Sequence, residues 1–338
     1  MNDLYFDRRS ALKGLGAIAL LAAGARPSFA SPLKWDFIII YGPGHPSTIN
    51  YKAFADDVRK RTNGELDITV RTPGELPFGG TEALTVVGQG QVQMSLGYMG
   101  FIAGTTKIAA LPGLPFLIRN AEEADKSMEV LLPFVEKAVQ AYGASILMWN
   151  GQHWPQNLYG RGKPIDRLDQ LSGRNARGST PEQADIIRRY GGAPVTLTTA
   201  EVPEAMERGL VDALFTGAAN ITGSKWTEFL EWGYLCNPHT GIEYMLINQQ
   251  DYEGLPPEIR KVLDETVADH RPKMAASLKK VNDESQAILR EKLKITDASE
   301  EDIKRYESDW AGYWTEWASG AGPDAEEALK KVREVLGK

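Results

Sequence analysis

The segment from Lys34 to Asn50, KWDFIIIYGPGHPSTIN, changes its apolar rhythm halfway along. Residues 34–41 form a mostly apolar run, the pattern of a strand covered on both faces. Gly42-Pro43-Gly44-His45-Pro46 breaks that run. Ser47 or Thr48 can then cap a helix in which Tyr51, Phe54, Ala55 and Val58 recur at helical spacing. Lys52, Asp56, Asp57, Arg59 and Lys60 fill the other face, and Asn63-Gly64 ends the helix. Leu66, Ile68 and Val70 alternate with polar residues as a second strand. Ala83–Val87 reads as a short helix, and Val92, Met94 and Leu96 as a third strand. This β-α-β-α-β succession predicts a mostly parallel sheet with helices on both faces.

The same arrangement starts again near Gly143. Ala144–Trp149 reads as a strand, and Leu168–Arg177 as a loop feeding another. Pro181 opens a helix over 182–190, proline taking its favoured first position. Val195–Leu197 is a short strand, Glu201–Arg208 a helix stopped by Gly209, and Val211–Phe215 the next strand. Trp226 and Trp232 fall on an expected helix, Ser224–Trp232, as packing residues. From Pro256 onward the chain reads as mostly helical, with segments at 259–293, 300–317 and 323–336. Two α/β units facing each other leave a cleft beyond their strand ends, where small molecules bind.

Residues 1–30 carry a different signal. Asp7-Arg8-Arg9-Ser10-Ala11-Leu12-Lys13 precedes an alanine-rich apolar run, Gly14–Ala25, and small residues around Ala30. That order is a secretory leader, and the paired arginines mark the twin-arginine route. The run is about half the ~20 residues a membrane helix needs. The expectation is cleavage near Ala30 and a periplasmic protein. Gly14-Leu-Gly16-Ala-Ile-Ala19 mimics a dinucleotide-binding loop, but no strand precedes it. Cys236 is the single cysteine, so an intrachain disulfide is impossible. With a net charge of −7 and no basic stripe, nucleic acid is not an expected partner.

Catalytic signatures do not occur: no P-loop, HExxH, GxSxG elbow or CxxC is present, and the four histidines are scattered. An exported, two-lobed, acidic, motif-poor chain describes a solute receptor rather than an enzyme. Arg177, in LSGRNARGST (171–180), lies between small residues ahead of a helix, at the carboxyl end of an expected strand.

Several segments, taken in order, resemble the extracytoplasmic solute-binding proteins of tripartite ATP-independent periplasmic transporters. They are His45-Pro46, RTNGELDITV (61–70), GELPFGGTEALTVVGQGQVQMSLGY (74–98), LPGLPFLIRN (111–120), KPIDRLDQLSGRNARGST (163–180) and AEVPEAMERGLVDAL (200–214). Gln93 stands where the family usually has Asp, and Pro203 where Tyr is common. The resemblance implies a type II-like two-lobed periplasmic binding protein fold, each lobe a mostly parallel sheet flanked by helices, with a helical C-terminal region. Lobe I is expected at 31–153 plus about 242–285, and lobe II at 154–241 plus about 286–338. It also implies hinge closure on a small organic acid and delivery to membrane permease subunits. The alternatives are the binding component of an ATP-driven importer or sensor, and a secreted enzyme acting on an organic acid. Some relatives pair through a C-terminal helix, so monomer and homodimer both stay open.

By this resemblance Arg177 is the signature arginine that forks onto the ligand's carboxylate. The branch that binds 2-oxo acids through a metal carries a glutamine twenty-one residues earlier, here Gln156. It also carries a Glu where this chain has Phe215, followed by Thr216, and Glu243 is offset by one residue from the second metal ligand. Such a site is short of the six or so oxygens a hard cation wants. No obligatory metal or cofactor is expected. Phe215, Trp154 and Tyr98, with Phe101 as a further candidate, point to an apolar or aromatic wall, and Glu243 to a hydrogen bond with a ligand hydroxyl. A monocarboxylate with an apolar or aromatic body, or a 2-oxo or 2-hydroxy acid, fits that description. A dicarboxylate would want a second cation where Gln156 is neutral.

Overall fold

A computed structural model describes residues 32–338, except for the side chains of 151–154. The expected leader, 1–30, lies outside the described residues. The first unit runs β1 (Leu33–Ile38), α1 (Pro46–Arg61), β2 (Leu66–Arg71), α2 (Ala83–Gly88), β3 (Met94–Tyr98), α3 (Met99–Ile102) and α4 (Ala121–Gln140). Then come β4 (Ala144–Gly160), β5 (Asn175–Gly178), α5 (Pro181–Arg189), β6 (Ala193–Thr196), α6 (Val202–Glu207), β7 (Ala213–Thr216) and α7 (Ala218–Gly223). The chain ends with β8 (Trp232–Asn248), α8 (Gln249–Glu253), α9 (Pro257–Lys292), β9 (Lys294–Asp297), α10 (Glu300–Ser319) and α11 (Pro323–Leu336).

The two α/β units share one sheet of order β2-β1-β3-β8-β4-β7-β5-β6, with β9 beside β8. Within each unit the outer strands are parallel: β1 with β2 and β3, and β5 with β6 and β7. The 17-residue strands β4 and β8 run antiparallel through both units and join them. They stay paired with each other along their length, with register shifts between Gln152 and Pro155 and between Gln156 and Leu158, while the carboxyl-terminal end of β4 also pairs β7 and that of β8 also pairs β3. Asn237 sits there with a positive φ of 46°, its backbone N–H and side-chain amide both bonded to Asn157. The result is a two-lobed α/β molecule. α9 packs Ile259, Leu263 and Val267 on the first lobe's outer core, while Leu289 joins the core of the second. α11 packs back on α4.

Several expectations need correction. α1 is capped not by Ser47 or Thr48 but by His45, whose Nδ1 accepts from Ser47 N at 3.2 Å. Ser224–Trp232 is not a helix. Only a single 3-10 turn forms at Trp226–Glu228, after left-handed Lys225, and Trp232 opens β8. The reason is tertiary: the Trp232 indole donates to Arg161 O at 3.0 Å and lies over Gly160, where a Cβ would meet it at 2.4 Å. Both tryptophans are nonetheless buried. β8 shows no alternation because nearly all of it is buried on both faces, and Pro238 disguises it further.

At the end of α2, a Cβ on Gly88 would lie 1.9 Å from the carbonyl oxygen of Tyr142. Gly88→Ala should therefore destabilise by about 1–3 kcal/mol through overpacking. Exposed Gly312, inside α10 with nothing within 4 Å of its would-be Cβ, should behave oppositely, with Gly312→Ala stabilising by about 0.5–1 kcal/mol. Urea denaturation of the two variants checks both signs.

Candidate ligand-binding site

The parallel strands of both lobes point their carboxyl ends at one narrow cavity. Ile40 and Tyr41 follow β1, Tyr98 ends β3, and Phe101 lies on α3. From the other side come Arg177 of β5, Ser179 just after it, Thr199 beyond β6, Thr216 of β7, then Gly217 and Asn220. Gln156 enters from β4.

Arg177 is the centre of the site and only 2% exposed. Its Nε donates to Leu197 O and its Nη1 to Phe215 O, each at 2.9 Å. These carbonyls belong to the neighbouring β6 end and to β7, so the strand pairing itself sets the plane of the guanidinium. Two of its five N–H donors are thereby committed. Nη2 is buried with no hydrogen-bond partner. Burial lowers its pKa to about 10, so it stays cationic at neutral pH. Glu201 acts on it only through space, its carboxylate being held by Thr198 N and Oγ1 at 2.7 Å.

A buried polar chain stiffens the floor beside it. Ser179 donates from N and Oγ to Gln183 Oε1 at 2.7 and 3.1 Å. Gln183 Nε2 lies 3.0 Å from His239 Nε2, and His239 Nδ1 lies 3.0 Å from Thr240 O. An amide nitrogen only donates and a carbonyl only accepts, so His239 carries its proton on Nδ1 and is neutral. Burial agrees, lowering its pKa to about 4. On the same side as Arg177, Asn220 Nδ2 donates to Thr216 Oγ1 at 3.0 Å, which leaves the Thr216 hydroxyl proton available to an acceptor.

The sequence-derived candidates separate here. Arg177, Gln156, Thr216, Tyr98 and Phe101 line the cavity. Phe215 and Glu243 are not among its lining residues. The Phe215 side chain is fully buried in the main core, and only its carbonyl serves the site, through Arg177. Glu243 lies deeper, accepting from Tyr41 Oη at 2.5 Å and Tyr51 Oη at 2.9 Å. The side chain of Trp154 lies outside the described residues. Tyr41, Ser179, Thr199 and Asn220 had no sequence signal except position: each follows the carboxyl end of a strand.

A cleft between two α/β lobes that ends in a fixed, buried cation defines a binding protein for small anions. The chain belongs to the bacterial extracellular solute-binding proteins, family 7, whose model matches residues 38–320. It is similar to the C4-dicarboxylate-binding periplasmic protein of Rhodobacter capsulatus, 24% identical over 266 residues, 75% of this chain and 77% of that one. Its fold matches an extracytoplasmic solute receptor of Bordetella pertussis binding pyroglutamic acid, at TM-score 0.83 and 22% identity over 89% of this chain and 99% of that chain. It equally matches a marine metagenome TRAP solute-binding protein in complex with pyroglutamate, at TM-score 0.83 and 24% identity over 90% and 99% of the two chains.

The two buried histidines at this end of the molecule make stability depend on pH. His45 and His239 are both lowered to about 4 from 6.5 by burial. As pH falls below 6.5 the unfolded chain takes up these protons first. The stabilisation is therefore complete above pH 6.5 and is lost toward pH 4, by up to about 3 kcal/mol per histidine. Glu182, raised by burial, opposes this with a contribution present at low pH and lost as pH rises. Denaturation midpoints should drop between pH 7 and pH 4.5, and His239→Gln should flatten the slope.

Proposed function

We propose that this chain is a periplasmic receptor that closes on a small organic acid and hands it unchanged to a membrane permease driven by an ion gradient. The observation that carries this reading is Arg177, a buried cation lining the cavity with two N–H groups anchored and Nη2 without a hydrogen-bond partner. With Nε occupied, an incoming carboxylate is met end-on by Nη1 and Nη2, two parallel charge-assisted bonds. A buried charge without its partner is costly, so a ligand that supplies the anion is strongly favoured over a neutral one.

The rest of the cavity mixes apolar surface (Ile40, Phe101 and the rings of Tyr41 and Tyr98) with neutral hydrogen-bonding groups (Gln156, Thr199, Thr216 and Asn220). Among the described lining residues, Arg177 is the one that carries a positive charge. This favours a compact monocarboxylate with an apolar, lactam or 2-hydroxy or 2-oxo body over a dicarboxylate. Pyroglutamate, carried by structural relatives, is of that kind.

Residues 1–30 act as a twin-arginine leader in this proposal. Lobe I comprises 31–153 with about 242–285, and lobe II comprises 154–241 with about 286–338, α11 reaching back to α4. The hinge falls where the register between β4 and β8 slips, at 152–158, and ligand contacts to both lobes select the closed state. A thermal-shift screen of pyroglutamate, phenylacetate, lactate, glucuronate and succinate tests the reading, because a bound acid raises the melting temperature. A monocarboxylate should score and be recovered unchanged. Arg177→Ala should remove its binding, a loss of about 2–5 kcal/mol, while the ligand-free protein stays folded. Unimpaired binding by that variant, or turnover of the acid, would refute the proposal.

A further inference from the structure

The cavity holds a second unpartnered donor, and it comes from the opposite lobe. Tyr98 ends β3, is 4% exposed, and its hydroxyl is buried without a hydrogen-bond partner. The Ser179 hydroxyl is near enough to temper the upward shift that burial gives the phenol, yet no well-formed hydrogen bond joins them. The phenol therefore keeps its proton and remains a donor. Phe101 holds the ring edge-on, centroids 5.2 Å apart at 70°.

Two residues further on, the lobes touch. A Cβ on Gly100 would lie 2.2 Å from Thr180 Cγ2 and 2.7 Å from its Cβ. Thr180 caps α5, three residues after Arg177, and accepts from Gln183 N at 3.1 Å. Only a residue without a side chain lets α3 come this close to the strand end that carries the cation.

We propose that the Tyr98 hydroxyl completes the carboxylate site from the first lobe, so that one ligand carboxylate accepts from Arg177 on one side and Tyr98 on the other, with the Gly100–Thr180 contact setting the approach. This rests on Arg177 as the carboxylate anchor. The acid group is then the tie between the lobes, and recognition and closure are the same event. A buried hydroxyl without a partner is a liability in the absence of ligand, because its desolvation is not repaid. Removing it separates binding from stability in a way that a packing role for the ring would not.

The test is calorimetric titration of wild type, Tyr98→Phe and Arg177→Ala with pyroglutamate, phenylacetate, lactate and glucuronate, together with ligand-free melting. Tyr98→Phe should weaken the acid that wild type binds roughly tenfold to a hundredfold, the worth of one hydrogen bond to a charged group. Its ligand-free melting temperature should be unchanged or higher. Wild-type affinity in Tyr98→Phe overturns this inference alone. Failure of every acid with wild type, or full binding by Arg177→Ala, overturns the anchor reading beneath it. Gly100→Ala should weaken the same acid, and should cost less when introduced into Thr180→Gly. Equal cost in both backgrounds overturns the steric part.

Discussion

A guanidinium held between the carbonyls of Leu197 and Phe215 is the constraint around which the second lobe is organised. Neither acceptor is a side chain that could swing away. Each is backbone at or just beyond a strand parallel to β5, so the cation keeps its orientation as long as β6, β5 and β7 stay paired. Neutral carbonyls fix the group without cancelling its charge. An internal carboxylate would have satisfied Arg177 more fully and left nothing for a ligand to gain. Preorganisation of this kind spends folding energy so that little is lost on binding.

The polar groups behind the cavity follow the opposite rule. Ser179, Gln183 and His239 form a chain in which each donor meets an acceptor, and Glu243 is bonded by the phenols of Tyr41 and Tyr51. Satisfied buried networks are rigid, because breaking any link strands a group in a low dielectric. Among the described lining residues, unpartnered buried polar atoms belong to Arg177 and Tyr98. Both are donors, and they approach from different lobes. The buried groups that this wall leaves unmatched are therefore donors.

β4 and β8 join the lobes with two antiparallel strands rather than with a flexible loop. Strands resist shear but twist readily at bulges, and the pairing of Asn157 with Asn237 sits where the register slips. The continuous α9, which touches the cores of both lobes, adds a third connection.

Much of this was legible in local pattern. β1 follows from its apolar run, while β2 follows from alternation, α1 from helical spacing, α5 from its proline and α11 from its bounds at Pro323 and Leu336, because these last four bury one face and leave the other more exposed. Arg177 stood out because small residues flank it ahead of a helix. What sequence alone left hidden was decided by long-range packing. β8 is buried on both faces and has no period to read. His45 displaced the expected serine cap because its ring also stacks on Tyr41, centroids 4.0 Å apart. Phe215 faces the core while its neighbour Thr216 lines the cavity, because adjacent positions on a strand face opposite ways and only sheet register determines which face meets the cavity, whereas Tyr41 and Asn220 reach it from the bend after β1 and from α7.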